Sequence, residues 1–253
     1  MDPEPDRHIG SITTIWEDLA RAHGRTECSA DSVARAQQVL IERYQGAVRR
    51  YLLAALRDRH AADEVFAQFA LRFVQGAFRN ADPEKGRFRD FVKKALSNLI
   101  KDYQARRGHG PVPLSDESSG GPAAPAEPAL DREFVESWRS DVLERVWSVL
   151  ETASRTEGNL YHRVLWLKAT SPELSSHQMA ERLTGETGVP RTEEWVRQTL
   201  RRAREKFSLL VLDDLARSLS EPTREAVEQE LIDLGLHGYC KRALDKWRPS
   251  SPG

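Results

Sequence analysis

Apolar residues recur at spacings of three and four along most of the chain, and the alternation typical of β-strands is scarce. This pattern predicts an all-α fold. In the first half of the chain we expect helices over residues 31–56, 61–75 and 89–107, and a short helix over 13–22. The stripe expected to be buried in the long first helix consists of Val33, Leu40, Tyr44, Val48, Tyr51 and Leu52.

Helical spacing resumes near residue 131. One side of the first helix there is expected to carry Phe134, Trp138, Val142, Val146, Trp147 and Leu150. A shorter helix over 160–169 follows, and Ser175 or Ser176 is placed to cap the next one, which holds Met179, Ala180 and Leu183.

Two more helices are expected towards the end of the chain, over 192–212 and 222–234. Pro222 is suited to the first turn of the second of these, and Gly235 is suited to stop it. The residues from Leu236 onward mix aromatic and basic groups without a predicted element.

A change in composition divides the chain. Residues 108–130 contain five prolines, four glycines and no lysine or arginine, which is typical of a flexible linker. We therefore expect two helical domains joined by this Pro/Gly linker. The expected parts are an N-terminal extension (1–30), a first domain (31–107), the linker (108–130), a second domain (131–219) and a C-terminal extension (220–253).

Composition restricts the possible functions. The formal net charge is −1, so any affinity for nucleic acid must come from locally clustered basic residues. Cys28 and Cys240 lie far apart without a Cys/His pattern, which indicates a reducing compartment and no metal site. The acidic N-terminus is unlike a signal peptide, and no apolar run approaches the roughly 18 residues of a membrane span. These features predict a cytoplasmic protein.

Residues 193–207 form an amphipathic helix with a basic face. Its apolar stripe consists of Val196, Leu200, Ala203, Phe207 and Leu210. Arg197, Arg201 and Arg204 share another face, beside Gln198 and Arg202. A short helix precedes it, so the pair is typical of a helix-turn-helix that inserts its second helix into the major groove. The alternative is a solvated helix face that Glu193, Glu194 and Glu205 partly neutralise.

A second basic helix covers residues 89–107, and the loop that precedes it (80–89) contains one glycine and three basic residues. Phe91, Ala95, Leu99 and Tyr103 step by four along one side, whereas Lys93, Lys94, Ser97, Asn98 and Lys101 lie on the other. Lysines attract phosphate regardless of sequence, and polar groups such as Asn98 add base discrimination. Phe88 and Phe91 are either core residues or the walls of a pocket for an unstacked base.

These segments together resemble the sigma-70 family of bacterial RNA polymerase sigma factors. Residues 66–107 resemble region 2, through Ala62-Asp63-Glu64-Val65-Phe66, Leu71-Arg72-Phe73, Gly86-Arg87-Phe88-Arg89 and Ala95-Leu96-Ser97-Asn98. Residues 177–207 resemble region 4, through the stretch from Trp195 to Arg204. Only a short linker separates the two regions, as in the compact extracytoplasmic-function (ECF) group.

The resemblance implies a role for several sets of residues. Recognition and melting of the −10 element would involve Asn80, Lys85, Arg87, Arg89, Lys93, Lys94, Asn98 and Lys101. Reading of the −35 element would involve Arg197, Gln198, Arg201 and Arg202. Binding to core polymerase would involve Asp63, Glu64, Gln68, Phe69, Leu71 and Arg72.

The resemblance also implies the partners: core RNA polymerase, through its β′ clamp helices and β flap, and promoter DNA. A sigma factor catalyses nothing itself and needs no cofactor. Candidates for control are an anti-sigma protein, a regulatory kinase and the acidic segment 221–253. That segment either folds against a basic DNA-binding face or simply caps the second domain.

Other classes of function explain less of the chain. A stand-alone helix-turn-helix regulator that binds duplex operator DNA accounts for the second basic helix but not for residues 66–107. An enzyme is disfavoured because the seven histidines are scattered and no Gly-rich phosphate loop is present. A scaffold built from helices leaves the arginines unexplained. Against the family pattern, the turn over 184–191 is expected to be long.

Overall fold

The computed structural model describes residues 15–23, 29–78, 82, 86–108 and 127–248. The described residues form helices and no strands, which confirms the predicted all-α class. The helices are α1 (Ile15–Ala22), α2 (Ala30–Leu56), α3 (Arg59–Val74), α4 (Phe88–Gly108), α5 (Glu127–Thr156), α6 (Tyr161–Thr170), α7 (Ser176–Thr187), α8 (Glu193–Arg217), α9 (Arg224–Asp233) and α10 (His237–Leu244).

Internal contacts divide the chain into two units. The first unit comprises the described residues up to Asp141 together with Ala216–Ala226. The second comprises Val142–Leu215 and Val227–Arg248. In the described part of the chain, no helix is long and apolar enough to cross a membrane.

The first unit is built around aromatic side chains. Tyr44 of α2 stacks on Trp138 at 4.9 Å between ring centroids and meets Phe88 at 5.0 Å. Tyr51 packs edge-on against Phe134 at 5.2 Å. Thus Phe134 and Trp138, which the sequence pattern groups with the second half of the chain, pack within the first unit.

Local signals explain where the helices of this unit begin. Ser29 caps α2 by accepting a hydrogen bond from the amide of Ser32, and Asp58 caps α3 by accepting from His60 and Ala61. Helix α1 is part of the same core, since Ile15, Leu19 and Ala22 are buried. The N-terminal extension therefore contributes structure to the first unit.

A buried carboxylate rests directly on Gly46. Asp141 is buried, and its Oδ1 accepts a hydrogen bond from Nη2 of Arg50 at 3.2 Å. A methyl group at position 46 would overlap this same oxygen. Glycine is therefore required here for space.

We predict that Gly46→Ala lowers the free energy of unfolding by about 1–3 kcal/mol, because the added methyl group must displace the buried carboxylate. Chemical denaturation of the full chain measures this loss. Gly185→Ala is the control, because a methyl group on that helical glycine meets open space. A Gly46→Ala variant as stable as the wild type would contradict the packing described.

The second unit contains a compact core of three helices. Val164 and Leu167 of α6, Met179 and Leu183 of α7, and Val196 of α8 are fully buried together. The ion pair of Arg163 with Glu186, at 2.7 Å between Nε and Oε2, links α6 to α7 on the outside. This three-helix core fixes the direction in which α8 leaves the turn.

The C-terminal extension contributes a large part of the apolar core of the second unit. The buried residues of this segment are Val227, Leu231, Leu234, Leu236, Cys240, Ala243, Leu244 and Trp247. The indole Nε1 of Trp247 donates a hydrogen bond to Oδ1 of Asp213 on α8, at 3.0 Å. The extension thus packs as a structural part of the unit, which agrees with the simple capping role.

Several predicted boundaries need correction. Helix α7 continues to Thr187, so the turn is residues 188–192 rather than 184–191. Gly185 is accommodated inside the helix, and Gly188, at φ 69°, ends it. Pro222 precedes α9, whose first turn is capped by the Thr223 hydroxyl. Helix α10 was not predicted. The linker residues 109–126 lie outside the described residues.

Candidate nucleic-acid interface

The α7–α8 pair has a tightly defined turn. Ser175 and Gln178 form a reciprocal capping box at the start of α7. The Thr192 hydroxyl accepts a hydrogen bond from the amide of Trp195 at 3.1 Å and so caps α8. The guanidinium of Arg191 lies 4.3 Å from the centroid of the Trp195 ring, and the Arg191 amide bonds to Thr184 Oγ1 at 2.9 Å. These contacts hold the first turn of α8 in a defined orientation.

The exposed face of α8 begins with paired charges. Arg197 forms ion pairs with Glu193 at 2.7 Å and with Glu194 at 3.2 Å. Gln198 donates to Glu194 at 3.0 Å. Hydrogen bonds from Gln198 and then Arg197 lower the pKa of Glu194. The first turn of α8 therefore carries two carboxylates against one guanidinium, a net charge of −1.

One turn further on, the same face is positive. Arg201, Arg202 and Arg204 are all exposed. Within the described residues no ion pair joins any of these three arginines to a carboxylate. The structure thus brings together the −35 residues named from the sequence, but Arg197 and Gln198 are held by glutamates whereas Arg201 and Arg202 are available to a ligand.

A cleft of about 500 Å³ lies in the first unit where α3 and α4 meet. Its aromatic wall is made by Phe78 and Phe91, whose ring centroids are 5.3 Å apart. The polar lining residues are Arg72, Asp82, Arg87, Asp90, Lys94 and Asn98. Phe88, in contrast, is buried against Tyr44. The two phenylalanines that the sequence left undecided thus take different roles, one in the core and one on the cleft.

The residues named for the −10 element divide into groups. Arg87, Lys94 and Asn98 line the cleft, and Lys101 is exposed further along α4. Lys93 forms an ion pair with Asp131 at 2.7 Å. Asn80 and Lys85 lie outside the described residues.

Arg89 is the −10 residue that the structure places differently. Its side chain is buried, with 6% exposed, and its Nε lies 4.0 Å from Oδ1 of Asp90. The sequence places it where the predicted loop (80–89) meets the predicted helix (89–107), and in the structure it belongs to the first turn of α4 with its side chain buried. The guanidinium of Arg89 is therefore largely shielded from solvent.

The polymerase-binding residues named from the sequence lie on α3. Leu71 is 56% exposed, whereas Phe69 is buried against Phe78 at 5.4 Å between centroids. Phe69 is therefore a core residue in this structure, because its position on α3 faces the packed side.

Three charged or polar residues of the set named for polymerase binding contact the neighbouring helices α2 and α4. Asp63 forms an ion pair with Arg49 of α2, and Arg72 forms one with Asp102 of α4 at 3.3 Å. Gln68 accepts from Arg106 of α4 at 3.0 Å and donates to Glu64 at 3.2 Å. Asp63, Glu64 and Arg72 remain exposed, and Gln68 is half-buried. A partner protein would therefore contact a polar surface around Leu71 whose side chains are held by ion pairs and hydrogen bonds.

Among the described residues, no group of three or more His, Cys, Asp or Glu side chains is arranged to hold a metal ion. No protein-family model matches the chain, and comparisons with curated proteins and with solved structures found no match either.

Proposed function

We propose that the protein is an ECF-type sigma factor, which binds core RNA polymerase and directs initiation at specific promoters. The observation that carries this proposal is the positive face of α8, with Arg201 and Arg202 exposed, presented by a helix-turn-helix core. A guanidinium in the major groove binds guanine through two parallel hydrogen bonds, and it also pairs with phosphate. On this proposal α8 reads the −35 element.

The cleft of the first unit supports a second DNA-directed step. Aromatic rings beside cationic side chains are suited to hold an unstacked base and its phosphate. Phe78 and Phe91 would contact the base, whereas Lys94 and Arg87 would contact the phosphate backbone. Capture of a −10 base in this cleft would favour melted promoter DNA over the duplex.

The exposed surface of α3 around Leu71 supports docking on the polymerase. An exposed leucine with ion-paired side chains around it resembles the apolar centre and polar rim of a protein interface. A stand-alone operator-binding regulator would leave both this surface and the cleft without a function. The two functions differ in whether the chain binds core RNA polymerase: a sigma factor does, and a stand-alone regulator does not.

We predict that the full chain co-elutes with bacterial core RNA polymerase in gel filtration and that Leu71→Glu abolishes co-elution, because a charge would be buried at the interface. Ile232→Glu is the matched control, since Ile232 is also exposed and lies on α9 in the second unit, outside the set of residues named for the polymerase. Loss of co-elution with Leu71→Glu alone supports the proposal. A wild-type chain that shifts duplex DNA but never co-elutes would favour the stand-alone regulator.

A further inference from the structure

The C-terminal extension changes its charge character along its length. Helix α9 is acidic, whereas α10 and the residues after it carry Lys241, Arg242, Lys246 and Arg248. Cys240, Ala243 and Leu244 form the buried side of α10. Positions 239, 242 and 246 share one exposed face at helical spacing.

Two contacts place this face beside the arginine face of α8. Nζ of Lys246 lies 2.9 Å from Oε1 of Glu205, and the hydroxyl of Ser208 donates to the backbone oxygen of Tyr239 at 3.4 Å. Glu205 and Ser208 follow Arg201 on the same side of α8, one and two turns later. The exposed face of α10 therefore continues the exposed arginine face of α8.

The ion pair with Lys246 also determines the electrostatic environment of the Glu205 carboxylate. The hydrogen bond from Lys246 is the main cause of the lowered pKa of Glu205, and Arg201 contributes a weaker attraction. Without Lys246, the carboxylate would be the nearest partner for Arg201 and would repel phosphate. At a rise of 1.5 Å per residue, Glu205 lies about 6 Å beyond Arg201, comparable to half the width of a major groove of about 12 Å.

We propose that α10 is a second DNA-contacting element, in which Lys246 neutralises Glu205 and the exposed guanidinium of Arg242 contacts the phosphate backbone beside the groove entered by α8. This inference rests on the proposed DNA binding by α8. It assigns the partner of the C-terminal extension as the duplex backbone, so the extension adds affinity that is independent of base sequence.

The test is the affinity of the full chain for a fluorescent duplex, measured by anisotropy for wild type, Lys246→Glu and Lys241→Glu over a salt series of about 0.05–0.2 M. Both variants change the net charge equally, but Lys241 lies on the other exposed flank of α10. We expect Lys246→Glu to weaken binding about tenfold near 0.1 M salt and to reduce the salt slope by about 1. Lys241→Glu is expected to weaken it less than about threefold, by long-range repulsion alone.

A second variant guards against a folding artefact. Glu205→Lys with Lys246→Glu keeps the ion pair and the net charge, and we expect it to bind within about threefold of wild type. Equal losses for Lys246→Glu and Lys241→Glu, or a swapped pair as weak as Lys246→Glu, would overturn the inference. If the wild type itself binds no duplex, the proposed function fails instead, so the two failures are distinguishable.

Discussion

Replacing Trp247 with alanine is expected to lower the free energy of unfolding of the second unit by about 3–5 kcal/mol. The side chain is only 7% exposed, and its indole donates to Asp213 of α8. Truncation would leave a large cavity and would remove the hydrogen-bond donor from a half-buried carboxylate. Because Trp247 belongs to the C-terminal extension, the loss would show that this segment is needed for the stability of the unit that carries α8.

The loss can be measured by urea denaturation and localised by amide hydrogen exchange in α6–α8. Tyr239→Ala is the matched control, since this aromatic side chain is 83% exposed and its loss is expected to change stability by less than about 0.5 kcal/mol. If Trp247→Ala were as stable as Tyr239→Ala, the extension would be a detachable segment. The alternative that it regulates by covering a basic face would then regain support.

Arg201→Ala is expected to weaken binding to the preferred duplex by about 1–3 kcal/mol if the guanidinium reads a base edge. Arg201 is the exposed arginine one turn beyond the paired Arg197, and within the described residues it has no ion pair. Its attraction to Glu205 is weak, because that carboxylate is paired with Lys246, so the loss of affinity in the variant reports chiefly the contact of Arg201 with DNA.

The preferred duplex is first selected from a random library with the wild-type chain. The wild type, Arg201→Ala and a control variant are then titrated with the selected duplex and with a scrambled one. Arg217→Ala, in the last turn of α8, removes the same charge and serves as the control. We expect Arg201→Ala to lose affinity chiefly for the selected duplex. An equal loss on both duplexes would make Arg201 a phosphate contact and would contradict its role in reading sequence.

Much of the fold follows from local sequence signals. Helices α2 and α3 begin within two residues of the starts predicted from apolar spacing, and in the structure Ser29 and Asp58 cap their first turns. The turn before α8 is shorter than the predicted one, because Gly185, a residue type that disfavours helix, nevertheless lies inside α7. Helix α10 lies outside the predicted elements, although Cys240, Ala243 and Leu244 have helical spacing in the sequence.

The candidate site was predictable only in part. The apolar stripe of α8 indicated which arginines would be exposed, because burial of Val196, Leu200 and Ala203 forces the opposite face outward. Phe88 is buried in the core and Phe91 lines the cleft because they contact different rings, Tyr44 and Phe78 respectively. These contacts come from distant parts of the sequence, so no local pattern predicts them. The same holds for Lys246, whose partner Glu205 lies 41 residues away in sequence.

The central claim, that the chain directs promoter-specific initiation, is tested most directly by transcription in vitro. Core RNA polymerase would be combined with the purified chain and fragmented genomic DNA from the organism that carries the gene, and the 5′ ends of the transcripts would be mapped. We predict transcripts that depend on the chain and whose start sites share −35 and −10 elements. With Arg201→Ala the transcripts should no longer share a −35 element, and with Lys94→Glu they should no longer share a −10 element. Transcription by the core that is unchanged by the chain would contradict the account.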